Sequence, residues 1–333
     1  LEEAQGRKLH SVFFGGGTPS LFSAAGIGRI ISAAETVLGF EDNIEITLEA
    51  NPGTFEQARF ADYRQRGVNR LSIGVQSFNS DQLQNLGRIH SESEASLAVR
   101  QAQAVGFDNI NIDLMHGLPN QLPAHALQDL QRALELRPTH ISWYQLTIEK
   151  NTPFYSQPPS LPSSDVLAEI EERGFELLAD NGFHRYEVSA FCRDKRMSQH
   201  NLNYWQFGDY LGIGAGAHGK ITNLITGEIQ RSQITRLPQH YLARKKINFD
   251  WKTVDKNQLP FEFMMNALRL SQGVPTGYFE QRTGLAFNAI ENIQQRLIEK
   301  DLLVDEEEII ACTATGFRFL NDVVGEFLVK CEM

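Results

Sequence analysis

Ser11–Pro19 reads SVFFGGGTP, a short β-rich run that passes directly into three glycines, a threonine and a proline. The same event recurs down the chain. Ile44–Leu48 (IEITL) leads to Glu49–Asn51, and Arg70–Val75 (RLSIGV) to Gln76–Ser77. Asn109–Leu114 (NINIDL) carries Asp113 and leads to His116, and His140–Leu146 (HISWYQL) carries Gln145 and leads to Thr147. Helix-like stretches separate these runs: Phe22–Leu38, Phe55–Arg66, Asp81–Leu86, Ser91–Val105 and Ala124–Leu136. Strand then helix, repeated, predicts a parallel sheet with helical crossovers. A polar or glycine cluster at the end of each strand favours a partial (β/α) TIM-like barrel over an open sheet, because barrel strands converge their C-terminal ends on one functional mouth. Turn chemistry explains any one cluster but not the series. His184–Ala190 (HRYEVSA) is expected as a sixth strand, after a helix over Ser164–Asn181.

The rhythm breaks after residue 190. A connecting segment, 191–246, holds His200-Asn-Leu-Asn-Tyr-Trp205, the glycine-rich run Tyr210–Lys220 and basic residues within Arg236–Lys246, expected as an exposed helix. Residues 247–333 read as a mainly helical, winged-helix-like domain, with helices over Phe261–Leu270, Ala286–Lys300 and Gly316–Val329 and a hairpin around Leu302–Ala311. DNA binding does not follow: residues 260–333 carry six basic against twelve acidic side chains, a field that phosphates would oppose. The whole chain of 333 residues has a net charge of −10, which likewise excludes a general nucleic-acid binder. No apolar run approaches the ~18–20 residues of a membrane span, and the start lacks the features of a signal peptide. Cys192, Cys312 and Cys331 form no CxxC pair and no disulfide framework, which points to a reducing cytoplasm.

Several residues can carry chemistry. Gly15–Gly17 permit close approach of a ligand to backbone N–H and C=O groups, although neither a P-loop nor a dinucleotide fingerprint is present. Glu49 is free to accept from an amine or from ribose hydroxyls, because Asn51-Pro52-Gly53 already supplies the turn. Asp113 interrupts an apolar run, and Arg88 is suited to a carboxylate. His200 stands beside Tyr204 and Trp205; histidine ligates haem iron and aromatics stack on a porphyrin face. A lone histidine is more often structural. His218 is a second candidate. No hydrolytic constellation and no zinc-site spacing occurs.

Taken together and in order, GGGTPS, LEANPG, RLSIGVQSF, LGRIH, NIDLMHGLP and HISWYQLTIE resemble the radical S-adenosylmethionine superfamily, and within it the oxygen-independent coproporphyrinogen III oxidase-like family. HNLNYW and GIGAGAHGK resemble that family's haem chaperone branch. The resemblance implies S-adenosylmethionine above a [4Fe–4S] cluster in a partial barrel. It implies that Gly16, Gly17, Thr18, Glu49, Gln76, Arg88, Asp113 and Thr147 contact S-adenosylmethionine and that His200 ligates haem iron. It also implies unidentified haem acceptors and an electron donor. The family's CxxxCxxC cluster motif does not occur, and the chain begins at Leu1 rather than Met. Because the motif precedes the GGGTP strand in the family, the expectation is a truncated sequence whose cluster cysteines and first barrel strand lie upstream. Two functions follow from the resemblance. One is haem binding and transfer to acceptor proteins. The alternative is oxidative decarboxylation of coproporphyrinogen III through a 5′-deoxyadenosyl radical. Without the resemblance, a phosphate-binding barrel enzyme remains.

Overall fold

A computed structural model describes residues 3–53, 57–243 and 250–328. The described chain forms two compact units, one of Leu9–His200 and one of the leading residues to Lys8 together with the chain from Asn201 onward. The segment 191–246 is thus shared between them.

In the first unit a seven-stranded sheet curls into a half-barrel. Its strands are β1 (Leu9–Phe14), β2 (Phe40–Ala50), β3 (Arg70–Gln76), β4 (Ile110–His116), β5 (His140–Gln145), β6 (His184–Glu187) and β7 (Ala190–Cys192), in the order β1-β2-β3-β4-β5-β7-β6. The first five run parallel. The expected sixth strand is instead a tight reversal: β7 pairs antiparallel with both β5 and β6. Ser189 lies in that reversal, and its carbonyl accepts the Trp143 N–H at 2.7 Å.

Alternation along each strand sorts the side chains into two faces. One face presents Ile46, Leu48, Leu71, Ile73, Val75, Ile112, Leu114, Ile141 and Trp143 to the helices, where they form the core. Helices α1 (Ala24–Leu38), α2 (Phe60–Gln65), α4 (Glu92–Ala104), α5 (Pro123–Glu135) and α7 (Ser164–Asp180) cover it, α3 (Ser80–Asn85) and α6 (Pro153–Ser156) being short connectors. The starts are encoded locally. Ser23 caps α1 by accepting the Gly26 N–H, and Ser91 with Glu94 forms a capping box on α4. At α7 a glycine is required, since a Cβ at Gly174 would collide with the Trp143 ring. The expected helix Phe55–Arg66 begins partly outside the described residues; its described part is α2.

The opposite, inner face is polar. Register places Glu49 beside Ser72, Ser72 beside Asn111, and Asn111 beside His140. His116, expected with Asp113 at the mouth, lies on the helix side instead, three residues along and therefore of opposite parity. It is buried against Trp143 (centroids 4.4 Å), and burial holds its imidazole down at about 4.

The second unit contains the end of α8 (Gln199–Trp205), an antiparallel sheet of β8 (His218–Thr222), β9 (Ile229–Gln233) and β10 (Lys252–Thr253), and the short helix α9 (Pro238–Leu242). Residues 244–246 of the expected basic helix lie outside the described residues. Helices α10 (Leu259–Ala267), α11 (Gly277–Thr283), α12 (Asn288–Glu299), α13 (Ala314–Arg318) and α14 (Leu320–Gly325) follow, with β11 (Val274–Pro275) paired to β12 (Ile309–Ile310). The expected last helix breaks at Phe319, whose backbone leaves the helical region. The hairpin expected near Leu302–Ala311 survives as one bridge, Leu303 to Cys312, with β12 recruited to β11.

Candidate functional site

Six of the expected contacts gather at the C-terminal end of the inner face. Gly16 and Gly17 take left-handed φ values of +80° and +69°, and a Cβ built on either meets nothing within 4 Å, so their backbone is open to a ligand. The Gly16 N–H donates to Glu49 Oε2 at 3.0 Å. Burial raises the Glu49 carboxyl pKa, the Gly16 N–H opposes this, and the nearby Asp113 charge adds to it. Asp113 is raised by burial as well, against the pull of Asn111 and Ser72, which donate to its two oxygens at 2.8 and 2.9 Å. Thr18 is drawn to the same region by Asn51, whose Nδ2 donates to Thr18 Oγ1 at 3.2 Å.

Gln76 ends β3 with φ +69°, an uncommon conformation for a side chain of its kind. The next residues hold it there. Asp129, from α5, accepts the Ser77 hydroxyl and the Phe78 N–H, both at 2.7 Å. Burial pushes the Asp129 carboxyl up to about 6, against those two donors. Gln76 Oε1 accepts the Tyr144 hydroxyl at 2.8 Å. Tyr144 sits in the fields of Asp113, Arg88 and Glu49, and its phenol is raised chiefly by burial. Tyr144 is thus a hub that the sequence did not single out, although its alternation with His140 and Ser142 marks the inner face. Arg88 is exposed just beyond α3. Thr147 is apart from the group: it is exposed and donates to Glu149 at 3.3 Å.

His200 occupies a second place on the inner face. Its ring stacks on Phe13 of β1 with centroids 4.2 Å apart and planes 14° from parallel. Burial, then the charge of Arg70, lowers the imidazole to about 4, so the ring is unprotonated at neutral pH. The backbone N–H groups of Gln199 and His200 donate to Glu45 Oε1 at 3.0 and 3.3 Å. Glu45 itself is buried, with Arg70 Nε 3.8 Å from its other oxygen.

The rest of HNLNYW serves packing in the second unit. Asn203 donates to the Asp209 carbonyl at 3.0 Å, the Tyr204 ring packs against Tyr210 with centroids 4.5 Å apart and planes tilted by 53°, and Arg269 lies 4.4 Å over the Trp205 ring. The glycine-rich run is a loop closed at its base, where Tyr210 and Lys220 exchange backbone hydrogen bonds of 2.8 and 2.9 Å. Buried Lys220 pairs with Asp209 at 2.8 Å and fixes that base. His218 is exposed at the start of β8.

The residues present do not fit an iron–sulfur cluster. Cys192 and Cys312 are buried free thiols in different units, pushed by burial to about 11 and about 12, whereas a ligand must be a thiolate. Cys331 lies outside the described residues. No group of three or more His, Cys, Asp or Glu among the described residues could hold a metal ion. Among them also, no helix is long and apolar enough to cross a membrane.

Residues 1–133 match the Radical SAM superfamily and residues 254–319 the HemN C-terminal domain. The heme chaperone HemW of Haemophilus influenzae is 50% identical over 329 residues, spanning 99% of this chain and 85% of that protein. HemW of Escherichia coli is 45% identical over 327 residues, spanning 98% of this chain and 86% of that protein. The solved structure of coproporphyrinogen III oxidase (HemN) from Escherichia coli aligns with a TM-score of 0.79 at 21% identity, over 96% of this chain and 78% of the other. That alignment establishes the half-barrel fold, and the ordered sequence identity establishes the branch: the chain belongs to the HemW family of the radical SAM superfamily.

Proposed function

We propose that the protein is a haem chaperone, which binds haem and passes it to acceptor proteins from a scaffold that also binds S-adenosylmethionine. The observation that carries this reading is His200: an imidazole kept neutral by burial, oriented by Phe13, and tied to the barrel through Glu45. A neutral imidazole held in a fixed orientation suits axial ligation of iron. Haem is the cargo; its acceptors and the electron donor of the family's cluster are partners still to be identified. The relatives' name supports haem as the cargo. The oxidase likeness supports the fold and brings no activity with it.

S-adenosylmethionine, when bound, supplies an activated sulfonium centre. Gly16 and Gly17 present open backbone, while Glu49 and Asp113 supply carboxylates for its amine or its ribose hydroxyls. Gln76, Arg88 and Thr18 complete that contact set, and Thr147 joins it from the exposed segment after β5.

A haemin titration followed in the Soret band tests the cargo site. The parent protein is expected to bind one haem saturably, and His200→Ala to lose the spectral change. Equal binding by parent and variant would move the ligand elsewhere, with His218 the next residue to replace.

A further inference from the structure

The two places on the inner face are joined by a run of hydrogen bonds, to which Ser142 adds a side branch by donating to Asn111 Oδ1 at 3.1 Å. Ser72 Oγ donates to Asp113 Oδ2 at 2.9 Å. Asn111 Nδ2 donates to Ser72 Oγ at 2.7 Å and to Asp113 Oδ1 at 2.8 Å. The Asn111 carbonyl oxygen can only accept, so His140 Nδ1, 2.6 Å away, must carry the proton. His140 Nε2 is then the acceptor for the Tyr186 hydroxyl at 2.9 Å. Tyr186 in turn accepts the Ser198 N–H at 3.3 Å, two residues before His200. Ser198, Gln199 and His200 all direct donors to Glu45 Oε1, at 3.5, 3.0 and 3.3 Å.

Barrel stagger explains how one run connects opposite ends of the strands. Pairing sets Glu49, near the end of β2, level with Ser72 and Asn111, and then with His140, the first residue of β5. A row that starts at the mouth therefore reaches the base within three strands. Ser72, Asn111, His140 and Tyr186 are buried. A hydrogen-bond network out of water has few alternative arrangements, and a half-satisfied one is costly.

We propose that this network couples the two sites, so that S-adenosylmethionine bound at the Glu49–Asp113 end and haem bound at His200 strengthen one another. The inference rests on the assignment of both ligands made above. The sign follows from the donor directions. Ser72 and Asn111 both donate into Asp113, so the run as it stands is matched to the ionised carboxylate. A cationic ligand amine beside Asp113 favours that ionised form. The ordered form holds His140 in the Nδ1–H tautomer, which leaves Nε2 for Tyr186 and the Tyr186 oxygen for Ser198. Tyr186 is a positioning residue in this scheme, acting through the backbone that precedes His200.

The test is a haemin titration in the Soret band with and without saturating S-adenosylmethionine. Its mirror is a calorimetric S-adenosylmethionine titration with and without haemin. The expected result is an affinity gain of about fivefold or more for haemin, and by linkage the same factor for S-adenosylmethionine. Tyr186→Phe keeps the ring and removes only the hydroxyl. It is expected to bind each ligand alone within twofold of the parent, with the coupling factor reduced to about one. His140→Leu removes the link between Asn111 and Tyr186 and is expected to do the same, which keeps the test decisive should one variant fail to fold. Both ligands binding the parent independently would overturn the coupling and leave the functional reading intact. So would coupling that persists in the folded variants. A parent that fails to bind haemin or S-adenosylmethionine would overturn the reading and the coupling together.

Discussion

The two ends of the half-barrel's inner face are built from similar residues and end up opposite in character. At the C-terminal end, Glu49, Gln76 and Asp113 lie around glycines whose backbone is open. At the other end, Glu45, Arg70, His140 and Tyr186 are buried and turned on one another and on the start of α8. Polar side chains within the same alternation thus flank open backbone where the sheet opens and bond to one another where it is closed. The lesson is that polarity at a strand end does not by itself mark a site; open backbone beside it does.

The largest expected contrast is in stability. Arg70→Met strands the buried Glu45 carboxylate and is expected to cost about 3–5 kcal/mol in urea unfolding, as loss of one partner from a buried pair does. A cost below about 1 kcal/mol would show that the base is less closed than described. Asp129 is the one group at the mouth that behaves like the base, and its signature is a pH dependence. Its carboxyl is raised to about 6 in the folded protein, so the native state holds that proton more tightly than the unfolded chain. The contribution is therefore present below the unfolded value near 4 and lost as pH rises through 6. Asp129→Asn lacks that loss. Between pH 4 and pH 7.5 the difference in stability should move in the variant's favour by about 2 kcal/mol in paired urea titrations. A difference that does not change with pH would place the carboxyl in water.

A smaller effect is expected at the mouth proper. Glu49→Gln should weaken S-adenosylmethionine binding by roughly tenfold or more, a loss of at least about 1.4 kcal/mol in calorimetry. Unfolding free energy should stay within about 1 kcal/mol, since the carboxylate is raised by burial rather than stabilised by the fold. Equal losses of binding and stability would make Glu49 structural, like Glu45. The smallest effect belongs to the exposed helix surface. Arg173→Ala removes an exposed pair with Glu169 on α7 and should change stability by less than about 0.5 kcal/mol.

The alternation of β1–β5 with helices was legible because apolar runs, caps and glycine turns all act within a few residues. Glu49, Gln76 and Asp113 were legible for the same reason, as polar breaks at the ends of apolar runs. What was not legible depends on partners far along the chain. Glu45 sits in the acidic run Glu41–Glu45 and reads as solvated, and only Arg70 and the backbone of Gln199 and His200 make it a buried anchor. Tyr144 reads as an ordinary strand aromatic, and its role depends on Gln76, 68 residues away. His116 was assigned to the mouth by nearness in sequence, and strand parity places it in the core. The reversal between β6 and β7 has no glycine, proline or asparagine to announce it.

The most direct test is to titrate haemin into Glu49→Gln and His200→Ala side by side, without S-adenosylmethionine. If the two ends divide the work as described, Glu49→Gln gives the parent's Soret titration and His200→Ala gives none. Loss of haem binding in Glu49→Gln with retention in His200→Ala would put the haem at the mouth and contradict the division.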